Sequence, residues 1–115
     1  MSNKDPNVFL AHARQCIVRI EKYATEGEKN FLSDDKTQDA ILRNLEIIGQ
    51  CIKDAGIEAL ESTHPDIPWR DIADFRNVLA HAYLGVKPSM VWAAIINDLP
   101  SLHQKLDAIL EHWLP

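Results

Sequence analysis

The run Arg76-Asn77-Val78-Leu79-Ala80-His81-Ala82-Tyr83 holds a guanidinium and an imidazole with four residues between them. These two groups suit one chemistry in particular, the cutting of RNA without a metal. When the 2′-hydroxyl of the substrate attacks its own phosphodiester, a base must take the hydroxyl proton, an acid must protonate the leaving 5′-oxygen, and a cation must hold the phosphorane. An imidazole, with an unperturbed pKa of about 6.5, can fill either proton-transfer role near neutrality. Arginine stays charged and offers a fork to phosphate oxygens. One histidine cannot be acid and base at once, so the pair Arg76 and His81 points to a homodimer in which a two-fold axis supplies a second His81. Asn77 can orient the imidazole or bond the phosphate. Tyr83 can stack on a base or anchor its phenol at the core border. Read more plainly, the same residues are a solvated helix surface, because motifs this short also occur without function.

The element that must carry these groups is a helix over Trp69 to Tyr83. At 100° per residue, Ile72, Phe75, Leu79, Ala82 and Val86 form an apolar stripe, and Arg70, Asp74, Asn77 and His81 form a polar line opposite. Arg76 and Tyr83 share a face about 140° from His81, so either the arginine stem bends round or a neighbouring copy completes the site. His64-Pro65-Asp66-Ile67-Pro68 precedes this helix and must interrupt any helix before it. Gly85 follows as a cap.

Three further helices follow from the same patterning. Asp5-Pro6 suits a cap and first helical position, and Phe9, Ala13, Cys16, Ile17, Ile20 and Ala24 then recur at helical spacing, ending near Gly27. The polar stretch Glu28 to Lys36 reads as a loop in which Ser33 or Asp34 caps the next helix. That helix, marked by Ile41, Leu45, Ile48, Ile52 and Ala55, should run to about Leu60. Lys87-Pro88-Ser89 opens the last, whose stripe runs from Trp92 through Ile95, Ile96, Leu99, Leu102, Leu106 and Ile109 to Trp113, with a kink at Pro100. No stretch alternates like a strand. The expected fold is an all-α, up-down four-helix bundle in one domain, residues 1–115.

Composition narrows the function classes. With 115 residues, 46% of them hydrophobic, one core is expected and two are not. A net charge of -5 works against broad phosphate-backbone binding, so any RNA must be held by few contacts. Arg43 and Arg70 are the candidate contacts beside Arg76. Cys16 and Cys51 fall on apolar stripes and read as reduced core thiols of a cytoplasmic chain. The N-terminus lacks the pattern of a signal peptide, and no run is long and apolar enough for a membrane. His12, His64, His103 and His112 show no metal-ligand spacing, no glycine-rich phosphate loop occurs, and no cofactor is expected. Trp69, Trp92 and Trp113 read as packing.

The motif Arg76 to Tyr83 resembles the signature of HEPN domains, and more closely that of the HepT-like toxin family. Arg43-Asn44-Leu45-Glu46-Ile47-Ile48-Gly49, Ile67-Pro68-Trp69-Arg70-Asp71-Ile72, Val91-Trp92 and Asp98-Leu99-Pro100 extend the likeness from Asp39 to Leu106. The resemblance implies a dimerising helical bundle whose Arg76 and His81 cleave RNA in a cleft between subunits, with Asn77 in support. It implies a partner as well, an MntA-like nucleotidyltransferase antitoxin that silences the toxin by transferring AMP to Tyr83. Added bulk and phosphate charge beside the site would repel RNA. One departure stands out: Gln50 follows the helix-two glycine where relatives commonly place an acid. The alternative reading is a non-catalytic helical module that binds a nucleotide or a protein through the same surface.

Overall fold

The computed structural model describes residues 5–80 and 87–113, with side chains at 5–75 and 87–113. It is all-helical among the described residues. Helix α1 spans Pro6–Tyr23, α2 Gly27–Ser33, α3 Asp35–Ala55, α4 Ile57–Thr63, α5 Trp69–Ala80, α6 Pro88–Asn97 and α7 Leu99–Leu110.

Helix α1 starts where Asp5 accepts from the Asn7 amide at 2.9 Å, with Pro6 in its first turn. It buries Leu10, Ala13, Cys16, Ile17 and Ile20. A single 3₁₀ turn, Ala24–Glu26, carries the chain to Gly27 at φ 92°, the expected end.

Residues 27–33, expected as loop, form α2 instead. Its composition is polar, but Phe31 is 1% exposed and its ring meets Trp92 at a centroid distance of 5.4 Å. One buried aromatic thus fixes a short helix that no periodic stripe announces. Gln38 then donates to the Phe31 carbonyl at 2.8 Å, closing the corner into α3. Asp34, extended at the start of α3, takes the Thr37 hydroxyl at 2.5 Å, which holds its carboxyl below the usual range.

The second long helix stops at Ala55 rather than near Leu60. Gly56 adopts φ 101°, a conformation costly for any residue with a Cβ, and its amide bonds the Ile52 and Lys53 carbonyls. The chain restarts at once as α4, which buries Leu60. Likewise the kink expected at Pro100 is a full break: α6 ends at Asn97 and α7 opens at Leu99 with Pro100 in its first turn, where a missing amide costs nothing.

Helix α3 is central, packed on α1 along one side and α5 along the other, while α7 leans on α1 and α6 joins α7 to α2. This is the expected up-down bundle. The buried apolar side chains form one continuous core from Leu10 to Leu110. No helix among the described residues is long and apolar enough to cross a membrane.

Candidate active site

Helix α5 is anchored at its start. Trp69 has no exposed surface, and its indole N–H donates to the His64 carbonyl at 2.9 Å across the proline-bounded turn. Ala73, one turn on, is 1% exposed. Ile72 and Phe75, expected at the centre of the core stripe, are only half-buried. The buried line of α5 is therefore rotated toward Trp69 and Ala73, which leaves Ile72 and Phe75 along a gap. That gap is a groove of about 550 Å³, floored by Leu45 and Ile48 of α3 and bordered by Leu99 and Leu102 of α7, with Asp71, Asp98 and Lys105 among its polar lining.

On the other face Arg70 and Asp74 are exposed, as the polar line requires. Arg70 meets Glu61 of α4 through two bonds, Nη2 to Oε1 at 2.9 Å and Nε to Oε2 at 3.2 Å. This fork lowers the Glu61 pKa and raises that of Arg70, the hydrogen bond being the larger cause in each. A phosphate arriving at Arg70 must displace a carboxylate. Arg43 is freer, with a side chain 71% exposed and only a 3.6 Å approach from Glu46. It lines a hollow between α1 and α3 with Phe9, His12 and Gln50, whereas Arg70 lines another beside Glu61 and Pro65. The two arginines are thus placed on separate hollows. Gln50, where an acid was looked for, donates to Asp54 at 2.9 Å.

Arg76 and Asn77 lie on the main chain of α5; their side chains, and the whole of His81 and Tyr83, lie outside the described residues. No three His, Cys, Asp or Glu groups among the described residues are arranged to hold a metal ion. Cys16 and Cys51 are buried, and burial pushes both thiols up, Cys51 to about 11.

Two features escape a reading of the sequence. Glu61 lies nine residues before Arg70 across the turn, a separation that signals no contact. Asn44 is buried at 7% exposure within the α3 core, and its only legible sign is a polar residue inside an apolar stripe.

The model of the family described as "Ribonuclease HepT-like" matches residues 13–109. The chain belongs to this family. The HepT-like match takes in α3, α5 and the whole motif segment. Among similar proteins, a "Probable ribonuclease HepT" of Thermococcus cleftensis is 38% identical, over 94% of this chain and 96% of that protein. A "Putative RNase" of Caldanaerobacter subterraneus subsp. tengcongensis is 34% identical over the same shares. A "Gamma-glutamylcyclotransferase and putative RNase" of Methanocaldococcus jannaschii is 34% identical, and there the chain spans about half the relative's length, 49%. No solved structure matches the chain.

Proposed function

We propose that this HepT-like chain is a metal-independent endoribonuclease and the toxin of a toxin-antitoxin pair, acting in the cytoplasm as a homodimer. The observation that carries this reading is the family match over residues 13–109, within which stand an arginine and a histidine with the right chemistry at Arg76 and His81. Arg76 holds the phosphorane charge while two His81 rings, one from each subunit, share the acid and base roles. Asn77 orients imidazole or phosphate. Arg43, exposed and loosely paired, is the better placed of the two auxiliary contacts, and Arg70 joins once RNA displaces Glu61. An MntA-like nucleotidyltransferase silences the site by adding AMP to Tyr83.

The test is cleavage of labelled RNA by purified protein in EDTA. A cyclic phosphate at the cut and a loss of at least ~100-fold in His81→Ala, with the helical circular dichroism unchanged, are the expected results. Undiminished cleavage by His81→Ala would overturn the assignment. Complex formation with RNA but no cutting by the wild type would favour the binding-module reading.

A further inference from the structure

Helix α6 runs from Pro88 to Asn97 without a charged side chain. Val91 and Ile95 are buried in the bundle, and Trp92 meets Phe31 of α2. The opposite side is apolar too. Met90 is 59% exposed and Ile96 54%, and Ala93 between them is exposed as well. A helix that is apolar on both sides is normally covered on both, because apolar surface left in water costs free energy. The exposed Val18 of α1 is different in kind: Arg14, Gln15, Glu21 and Lys22 surround it one turn away, and a single bare residue needs no partner.

The bare face is also self-complementary. Met90 stands three residues before Ala93 and Ile96 three after, about 60° to either side of it round the helix. Lys87 and Asp98, both exposed, mark the two ends, six residues before Ala93 and five after. A two-fold axis through Ala93 that sets two copies of α6 antiparallel brings Met90 level with Ile96 of the second copy, on opposite sides of a seam where the small Ala93 side chains let the backbones approach. It brings Lys87 level with Asp98 of the second copy, on the same side. A parallel arrangement would set Lys87 on Lys87 and Asp98 on Asp98, so charge selects the antiparallel one. Charge also selects the place, since two chains that each carry -5 meet at least cost where neither presents an acid.

We propose that the outer face of α6 is the homodimer contact, occupied by α6 of a second copy of this chain. The proposal rests on the homodimer in the ribonuclease reading above and gives that homodimer a surface. One ten-residue helix, about 15 Å long, falls short of the ~800 Å² per partner of a standard interface. The apolar surface continues, however, into the groove that Ala94 and Asn97 border, where Ile72 and Phe75 are half-buried. The contact is therefore modest in area, and the dimer should come apart at roughly micromolar concentration. Helix α6 is also the element that follows the motif segment directly in the chain, so a two-fold axis here is close in sequence to both copies of it.

Sedimentation equilibrium of the full chain measures the dimer constant in the wild type and in Ala93→Glu, which sets two carboxylates across the axis. The variant should dimerise about 100-fold or more weakly, with its helical circular dichroism unchanged because Ala93 is exposed. Lys87→Asp should weaken the dimer about 3- to 10-fold, and adding Asp98→Lys should restore it. Mild oxidation of Ala93→Cys should yield a covalent dimer, whereas Val18→Cys on α1 should not, and the native Cys16 and Cys51 are buried. Wild-type dimerisation by Ala93→Glu overturns the proposal, as does failure of Ala93→Cys to cross-link at a concentration where the wild type is dimeric; either result leaves the homodimer to another surface. A wild type still monomeric at about 1 mM would refute the homodimer itself. If that monomer instead forms a complex with a purified MntA-like nucleotidyltransferase, and Ala93→Glu abolishes it, the face belongs to that partner and the proposal is overturned. If Ala93→Glu is monomeric yet cuts RNA as fast as the wild type, the contact stands and the shared-site reading falls.

Discussion

At the scale of single residues, charge and burial divide the side chains into those that can react and those that cannot. Cys16 and Cys51 face the interior between α1 and α3, and desolvation raises both thiols. A raised thiol keeps its proton in the folded state while the unfolded state gives it up from about pH 9. Stability from this source is therefore complete below pH 9 and is lost as pH rises toward the folded Cys51 value of about 11. A thiol-specific reagent at pH 8 should label neither cysteine in the native protein and both after denaturation, and urea midpoints should fall between pH 9 and 11; rapid native labelling would contradict the burial. Glu61 behaves in the opposite sense. Its depressed carboxyl favours the fold above its ordinary pKa, and that small contribution fades as pH drops through the folded value, more weakly still in salt because the pair is exposed. For function the same pair is a restraint. Glu61→Gln should free Arg70 and tighten RNA binding by a few-fold, and Glu61→Gln with Arg70→Gln should cancel the gain; filter binding distinguishes these outcomes.

Elements are held by a few anchors rather than by propensity. Helix α2 has seven residues, too few to persist alone in water, and depends on Phe31 beneath Trp92. Phe31→Ala should cost about 3–5 kcal/mol and loosen the corner between α1 and α3, seen as a lower urea midpoint and faster amide exchange at residues 27–33. A cost under about 1 kcal/mol would mean that α2 is not anchored as described. Helix α5 depends in the same way on Trp69, whose indole is tied to His64 and fixes the rotation of the helix. That rotation decides which positions along α5 look into the bundle and which look out. Binary patterning placed Ile72 and Phe75 at the centre because it weighs apolar residues alike, whereas the fully buried position went to Trp69, the largest ring on the helix.

The whole molecule is a small acidic bundle that is proposed to handle a polyanion, and this constrains how it does so. With a net charge of -5, RNA must be held through two or three local cations. The apparent affinity should fall by only roughly 10- to 40-fold between about 50 and 200 mM salt, against a thousandfold or more for a protein neutralising six or more phosphates. A steep salt dependence would point to a basic surface that the composition does not offer. The shared-cleft reading predicts that the active species sediments at twice the 13.0 kDa chain mass, and that specific activity falls on dilution as dimers separate. Activity per chain that stays constant through dissociation would place both proton-transfer groups in a single subunit.

The all-helical class, the helix beginnings at Asp5-Pro6 and Lys87-Pro88 and the Arg76, Asn77, His81 and Tyr83 motif were legible in the sequence alone. Helical periodicity, proline geometry and capping are local, and a motif is a string of residues. The tertiary structure alone decided that α2 is a helix, that α5 turns its Trp69–Ala73 line inward, that Glu61 occupies Arg70, and that Asn44 is buried. Each depends on which surfaces meet across tens of residues of chain. Contact energies of that kind are set by the packed bundle, and no short window of residues contains them.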